Sequence, residues 1–220
     1  MTTLGKTHEV CIVCHRMSQH TVILSTNRFG APDLDTRPPE MMRSTMRHWI
    51  RCCPHCGYCA GEVAKGPPLA RQVTISEAYQ KQLINAAFPE LANHFLCSAM
   101  IMAAVENYPA AGMDCLRAAW ACDDAQSPTA AAECRNRAIT NFQAARVAGM
   151  RLGGQPGIDE AILADLYRRT GHFEQALAIC QDGLALETED ILCRLFRFQI
   201  GLCQAGDTAC HRVDEVPDEV

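Results

Sequence analysis

The stretch WIRCCPHCGYC at 49–59 places four cysteines in eleven positions, and CIVCH at 11–15 supplies two more. Cysteines two residues apart can do three kinds of chemistry: hold a metal, exchange disulfides, or carry a haem. The pairs Cys11/Cys14 and Cys53/Cys56 are separated by residues 15–52. Each pair presents two thiolates from a tight turn, and two such turns make a tetrahedral four-sulfur site. The ligand set expected is therefore Cys11, Cys14, Cys53 and Cys56 around one Zn2+ per chain. An iron centre of the same geometry is the alternative metal. Gly57 suits the turn after Cys56, where the backbone bends with positive φ and offers amides to sulfur. His15 occupies the matching place after the first pair and fits it less comfortably.

The other two chemistries lack their supporting elements. CIVCH matches c-type haem attachment, which is normally made after export. The beginning, MTTLGKTHEV, shows no apolar leader segment. CPHC as a redox dithiol needs its nucleophile at a helix N-terminus, where the dipole lowers the thiol pKa. The following GYCAGEVAKGPP carries three glycines and two prolines and cannot sustain that helix. Cys52 and Cys59 exceed a four-ligand site; they are expected to pack beside it, with substitution as ligands the alternative. Cys97, Cys115, Cys122, Cys134, Cys180, Cys193 and Cys203 fall among helical apolar positions and are expected to be core thiols. His48 and His55 are candidate outer donors, while His94 and His172 have no evident partner. Asp33 and Asp35 could suggest a hard-metal site, but in a proline-bounded loop they are expected to cap turns. No catalytic residues can be assembled, and no enzymatic activity is expected.

These ligands need elements to hold them. Residues 1–70 contain six cysteines and six prolines with little helical periodicity. TVILS (21–25) and RHWIRC (47–52) look like strands, and APDLDTRPPEMM like a loop. From about Val73 the pattern turns helical: 73–88 opening at Ser76 and stopping at Pro89, then stretches to Pro109, to Pro128 and to Gly153-Gly154, then 158–170, 173–187 and 189–205. The fold expected is mainly α, a small zinc-ribbon-like β module at 1–70 followed by an α-α tetratricopeptide-like array at 71–210. The acidic tail, 211–220, is expected to fray.

The repeat is read from ADLYRRTGHFEQALAICQDGLAL. Tyr167, Gly171, Phe173, Ala176, Leu177 and Gly183 supply the aromatic, turn and small positions that let two antiparallel helices approach closely. A weaker copy lies upstream, where Ala138, Phe142 and Ala145 repeat the spacing of Ala176, Cys180 and Gly183. Such units need a cap, and 189–205 is expected to serve.

Composition bounds the rest. An apolar content of 48% over 220 residues suffices for a core. A net charge of −5 argues against a nucleic-acid partner, although Arg37, Arg43, Arg47 and Arg51 cluster near the cysteines. The longest apolar-leaning run, FLCSAMIMAAV, is shorter than the roughly 20 residues of a membrane span. Clustered cysteines without a leader point to the reducing cytoplasm.

Taken in order, CIVC, DLDTRP, CPHCGY and LADLYRRTGHFEQAL resemble the bacterial domain of unknown function 2225 family across most of the chain. That resemblance implies a four-cysteine, zinc-ribbon-like part joined to tetratricopeptide-like helices, with zinc binding in a cytoplasmic bacterial protein and no reaction. Cys52, Cys59 and His15 depart from it. The expectation is a zinc-stabilised interaction protein that offers a helical groove to a protein or peptide. Two alternatives are a nucleic-acid reader using Arg43, Arg47 and Arg51 with Trp49 or Tyr58, and a CPHC redox protein.

Overall fold

A computed structural model describes residues 2–218. The fold is mainly α, about 52% helical, with a cysteine-rich strand region ahead of a helical array. Strands β1 (Thr3–Val10) and β2 (Met17–Ser25) form an antiparallel hairpin. The loop after it carries a single helical turn, α1 (Glu40–Arg43), and a 3-10 turn at Met46–His48. A second, minimal hairpin pairs β3 (Arg51–Cys52) with β4 (Cys59–Ala60). The strand expected at 47–52 is thus mostly turn, and β1, which the strand patterns missed, is longer than either expected strand.

Helices follow as α2 (Ala70–Thr74), α3 (Glu77–Leu83), α4 (Glu90–Ala104), α5 (Tyr108–Asp124), α6 (Pro128–Val147), α7 (Ile158–Arg169), α8 (Phe173–Leu184) and α9 (Asp190–Gln204). Ser76 caps α3 by accepting from the Tyr79 N–H. That helix ends at Leu83, five residues short of the expected stop at Phe88, and Asn85 carries the turn by accepting from the Ala87 N–H. Pro109 and Pro128 do not end helices. Each sits in the first turn of the next one, where the missing N–H has no helical partner to lose.

The helices stack as neighbours in sequence, α4 on α5, α5 on α6 and α7 on α8, with α9 lying against both α7 and α8. Two close approaches rely on glycine. A Cβ at Gly112 would stand 2.2 Å from the Phe142 ring, and one at Gly183 would stand 2.2 Å from the Phe196 ring. One apolar core runs from Cys11 and Val13 in the first hairpin to Val216.

The terminal segment does not fray through 216. The Leu34 N–H donates to the His211 carbonyl at 2.9 Å and the Val213 N–H donates to the Pro32 carbonyl at 2.9 Å. An isolated bridge joins Asp33 to Arg212. His211 further binds Glu215 at 2.7 Å and Asp207 at 3.0 Å.

Candidate metal centre

Each C-x2-C pair occupies the turn of a hairpin, and the two turns share one backbone pattern. The Cys11 N–H donates to the Arg16 carbonyl at 3.0 Å, and the Cys53 N–H donates to the Tyr58 carbonyl at 2.8 Å. The His15 N–H returns to the Cys11 carbonyl at 2.8 Å, as the Gly57 N–H returns to the Cys53 carbonyl at 2.9 Å. His15 and Gly57 both adopt the left-handed region, with φ of 58° and 77°. His15 therefore makes the same turn as Gly57, with the backbone strain that a Cβ incurs at positive φ.

These turns face each other. Cys11 Sγ lies 3.7 Å from Cys56 Sγ, and Cys14 Sγ lies 3.7 Å from Cys53 Sγ. All four sulfurs lie within 4.8 Å of one another. A tetrahedral zinc site with arms of about 2.3 Å has sulfur-sulfur edges of about 3.8 Å, whereas a disulfide needs about 2.0 Å. The observed spacing is one at which four sulfurs could hold a metal ion. Every cysteine of the chain is a free thiol.

Backbone amides complete the cradle. The N–H groups of Cys14 and Val13 point to Cys11 Sγ, that of Arg16 to Cys14 Sγ and that of Tyr58 to Cys56 Sγ. Burial pushes the Cys11 thiol up, and pushes Cys56 up further. For Cys14 burial works against ionisation, but the Arg16 amide and the neighbouring thiols bring it below its ordinary value. Four thiolates cannot share so small a volume without a cation to offset their repulsion.

The frame around the site spans both hairpins. Arg51 of β3 forms an ion pair with Glu9 of β1. Glu9 also accepts from the Ala64 N–H at 3.3 Å, and the Ile12 N–H donates to the Val63 carbonyl at 2.9 Å. His55 donates from Nε2 to the Met17 carbonyl at 3.2 Å, tying the second turn to the first hairpin. Tyr58 is buried and donates to the Lys65 carbonyl at 2.7 Å, while Tyr79 donates to the Gly57 carbonyl and accepts from the Cys59 N–H, each at 3.0 Å.

The residues of the alternative chemistries are placed otherwise. Cys53 and Cys56 occupy a hairpin turn and not a helix N-terminus. Arg43 pairs with Asp33 at 2.7 Å, and Arg51 is held by Glu9. Trp49 lies edge-on to Trp120 with ring centroids 6.4 Å apart and donates to Thr45 at 2.9 Å. Of the basic residues proposed as a nucleic-acid surface, Arg47 is exposed.

Asp33 and Asp35 bind arginines and an indole, which the turn-capping expectation did not foresee. Asp35 does accept from the Arg37 N–H at 3.1 Å, as a turn-capping aspartate does. Cys193 is half-buried, bonded to Thr188 at 3.3 Å, and so is not a core thiol.

Sequence reasoning missed a second group. Cys52, Cys59 and His94 bring their ligand atoms within 4.8 Å of one another. Hydrogen bonding with Cys59, opposed by burial and reinforced by His94, lowers the Cys52 thiol to about 5. Burial pulls the His94 imidazole down, but Cys52 and Glu90 more than offset this and leave it raised. The signal was present: a hairpin closed on Cys53 to Tyr58 must pair Cys52 with Cys59. What was lacking was the long-range placement of His94, which only the packing of α4 on β4 supplies.

No helix among the described residues is long and apolar enough to cross a membrane. The chain matches no family model, no curated protein and no solved structure.

Proposed function

We infer that the chain is a zinc-binding interaction protein, in which one ion held by Cys11, Cys14, Cys53 and Cys56 fixes a zinc-ribbon-like module against a tetratricopeptide-like helical array. The observation that carries this reading is the pair of 3.7 Å sulfur separations contributed by two turns with the same hydrogen bonds. A bound ion would contribute on the order of 10 kcal/mol to a region with little apolar core of its own. The α7–α8 hairpin supports the repeat assignment, with Gly171 at φ 78° between the helices and buried Ala176 where they approach. The array is proposed to receive a protein or peptide segment. A shallow site of about 200 Å3, lined by Leu96, Ala99, Met100 and Ala103 from α4 and by Arg137 and Asn141 from α6, suits an apolar side chain with a polar edge. No catalytic role is assigned. A reducing cytoplasm is the compartment in which thiols so spaced stay metal ligands. The likeness of CIVC, DLDTRP, CPHCGY and LADLYRRTGHFEQAL to the domain of unknown function 2225 family belongs to this proposal.

The test compares zinc content and proteolysis of the full chain with those of Cys14→Ser. The variant should lose one zinc equivalent and become cleavable within 1–70 while keeping its helical circular dichroism. Unchanged zinc content would contradict the ligand set, and unchanged resistance would contradict the stabilising role.

A further inference from the structure

We propose that Cys52, Cys59 and His94 form a second metal site, an open one that binds a divalent zinc-like cation through two thiolates and one imidazole. It draws on none of the four cysteines of the first site.

Three observations carry it. Cys52 and Cys59 are direct partners across the β3–β4 ladder, so their thiols emerge on the same face. Side-chain alternation along a strand sends the adjacent Cys53 to the opposite face and hence to the first site. The second observation is a comparison internal to the chain. In the first hairpin the equivalent ladder pair is Val10 and Met17. Those two are 49% and 63% exposed, so the turn itself makes no demand for thiols there. In the second hairpin the pair is covered by α4, and α4 presents His94 to it. Third, Cys52 and His94 line a cavity of about 440 Å3, together with His20, His48, Arg47 and Glu90. Structural zinc sites are closed by four protein ligands, whereas sites that bind water or substrate keep three and leave a position open.

The remaining neighbours fit. Glu90 Oε1 stands 3.9 Å from His94 Nε2, near enough for its charge to favour a cation at the site but beyond hydrogen-bond reach. Cys97, one turn along α4 from His94, directs its thiol to the Tyr79 carbonyl at 3.8 Å and to the buried side of Cys59, and is not among the three residues whose ligand atoms all lie within 4.8 Å of one another. The fourth position, on the side of the cavity, is left for water, a thiol or a small anion.

Titration of metal-free, reduced full-length protein with Co2+ tests this. The expected uptake is two equivalents, with His94→Ala and Cys14→Ser each taking up one. Their visible spectra should differ, because the site left in His94→Ala has four thiolates and the site left in Cys14→Ser has two thiolates and an imidazole. Imidazole or thiocyanate added to Cys14→Ser should shift its cobalt bands and leave those of His94→Ala unchanged, and Cys97→Ser should still take up two equivalents. Uptake of one equivalent by the wild type, abolished in Cys14→Ser and intact in His94→Ala, would overturn the second site and leave the first standing. Two equivalents with no spectral response to added ligand would overturn the open position. Should His94→Ala lose its helical circular dichroism, the wild-type stoichiometry and spectrum decide: two equivalents with one responsive component support the site, and one equivalent overturns it.

Discussion

The indole N–H of Trp120, on α5, donates to the buried carboxylate of Asp35 at 2.7 Å. The same oxygen accepts from Arg169 of α7 at 3.2 Å, and Arg169 reaches Asp123 at 3.2 Å as well. Arg37 completes the junction by pairing with Asp124 at 2.6 Å. The loop between the two hairpins is thus locked to the helices by ion pairs and hydrogen bonds. Removing one partner of a buried pair strands the other charge. Asp35→Asn should therefore destabilise the protein by about 3 kcal/mol, and Trp120→Phe, which removes one hydrogen bond, by about 1 kcal/mol. Urea unfolding midpoints of the two variants measure the difference. Equal losses would show that the Asp35 charge contributes nothing.

His15 and Gly57 make a matched pair of substitutions. His15 holds φ at 58°, so His15→Gly should be neutral or stabilising by up to about 1 kcal/mol and should retain the metal. Loss of metal from that variant would instead assign His15 a ligand role. Gly57→Ala meets both a φ of 77° and a Leu83 Cδ2 only 2.4 Å from the new Cβ. It should lower stability by roughly 1–3 kcal/mol and hasten zinc release to a chelator.

Helical glycines divide by what surrounds them. Gly112 and Gly183 sit under the rings of Phe142 and Phe196, so alanine there overpacks the helix contact by roughly 1–3 kcal/mol even though alanine is the better helix former. Gly201, inside α9, has open space where a Cβ would go. Gly201→Ala should stabilise by about 1 kcal/mol. Thermal unfolding of the three variants should show two losses and one gain.

Burial pulls His211 down, but Glu215 and Asp207 outweigh it and raise its pKa above the ordinary 6.5. Backbone N–H donation from Ala209 and the bond to His211 lower Asp207, and the bond to His211 lowers Glu215. A raised histidine stabilises fully below about 6.5 and loses this as pH rises through its folded value. Lowered carboxylates stabilise above about 4 and lose this as pH falls. The clamp on the terminal segment should thus be strongest between about pH 4.5 and 6.5. An NMR titration should place His211 above 6.5, and Asp207→Asn with Glu215→Gln should bring it down. A value at or below 6.5 in the wild type would contradict the clamp.

Much of this was legible because it is local. The spacing of Cys11, Cys14, Cys53 and Cys56 specifies a turn each, and a four-sulfur site follows from the chemistry of thiolates. Helices α4 to α9 announced themselves as stretches of helical pattern set off by proline and glycine. What escaped the sequence is long-range. Asp35 could be read only as a turn residue, since its partners Trp120 and Arg169 lie 85 and 134 residues away. His94 had no partner in sequence, because its approach to Cys52 and Cys59 depends on how α4 crosses β4. Proline misled at 109 and 128, since it opens a helix as readily as it bars one from continuing.

The most direct test of the four-sulfur site is differential alkylation of the native full-length protein, read by mass spectrometry at each cysteine. Cys14 and Cys56 are partly exposed, while Cys11 and Cys53 are fully buried. With zinc in place all four should resist N-ethylmaleimide, and a chelator should release Cys14 and Cys56 first, with Cys11 and Cys53 following. Alkylation of Cys14 and Cys56 at the same rate with and without chelator would contradict a metal shared by the two turns.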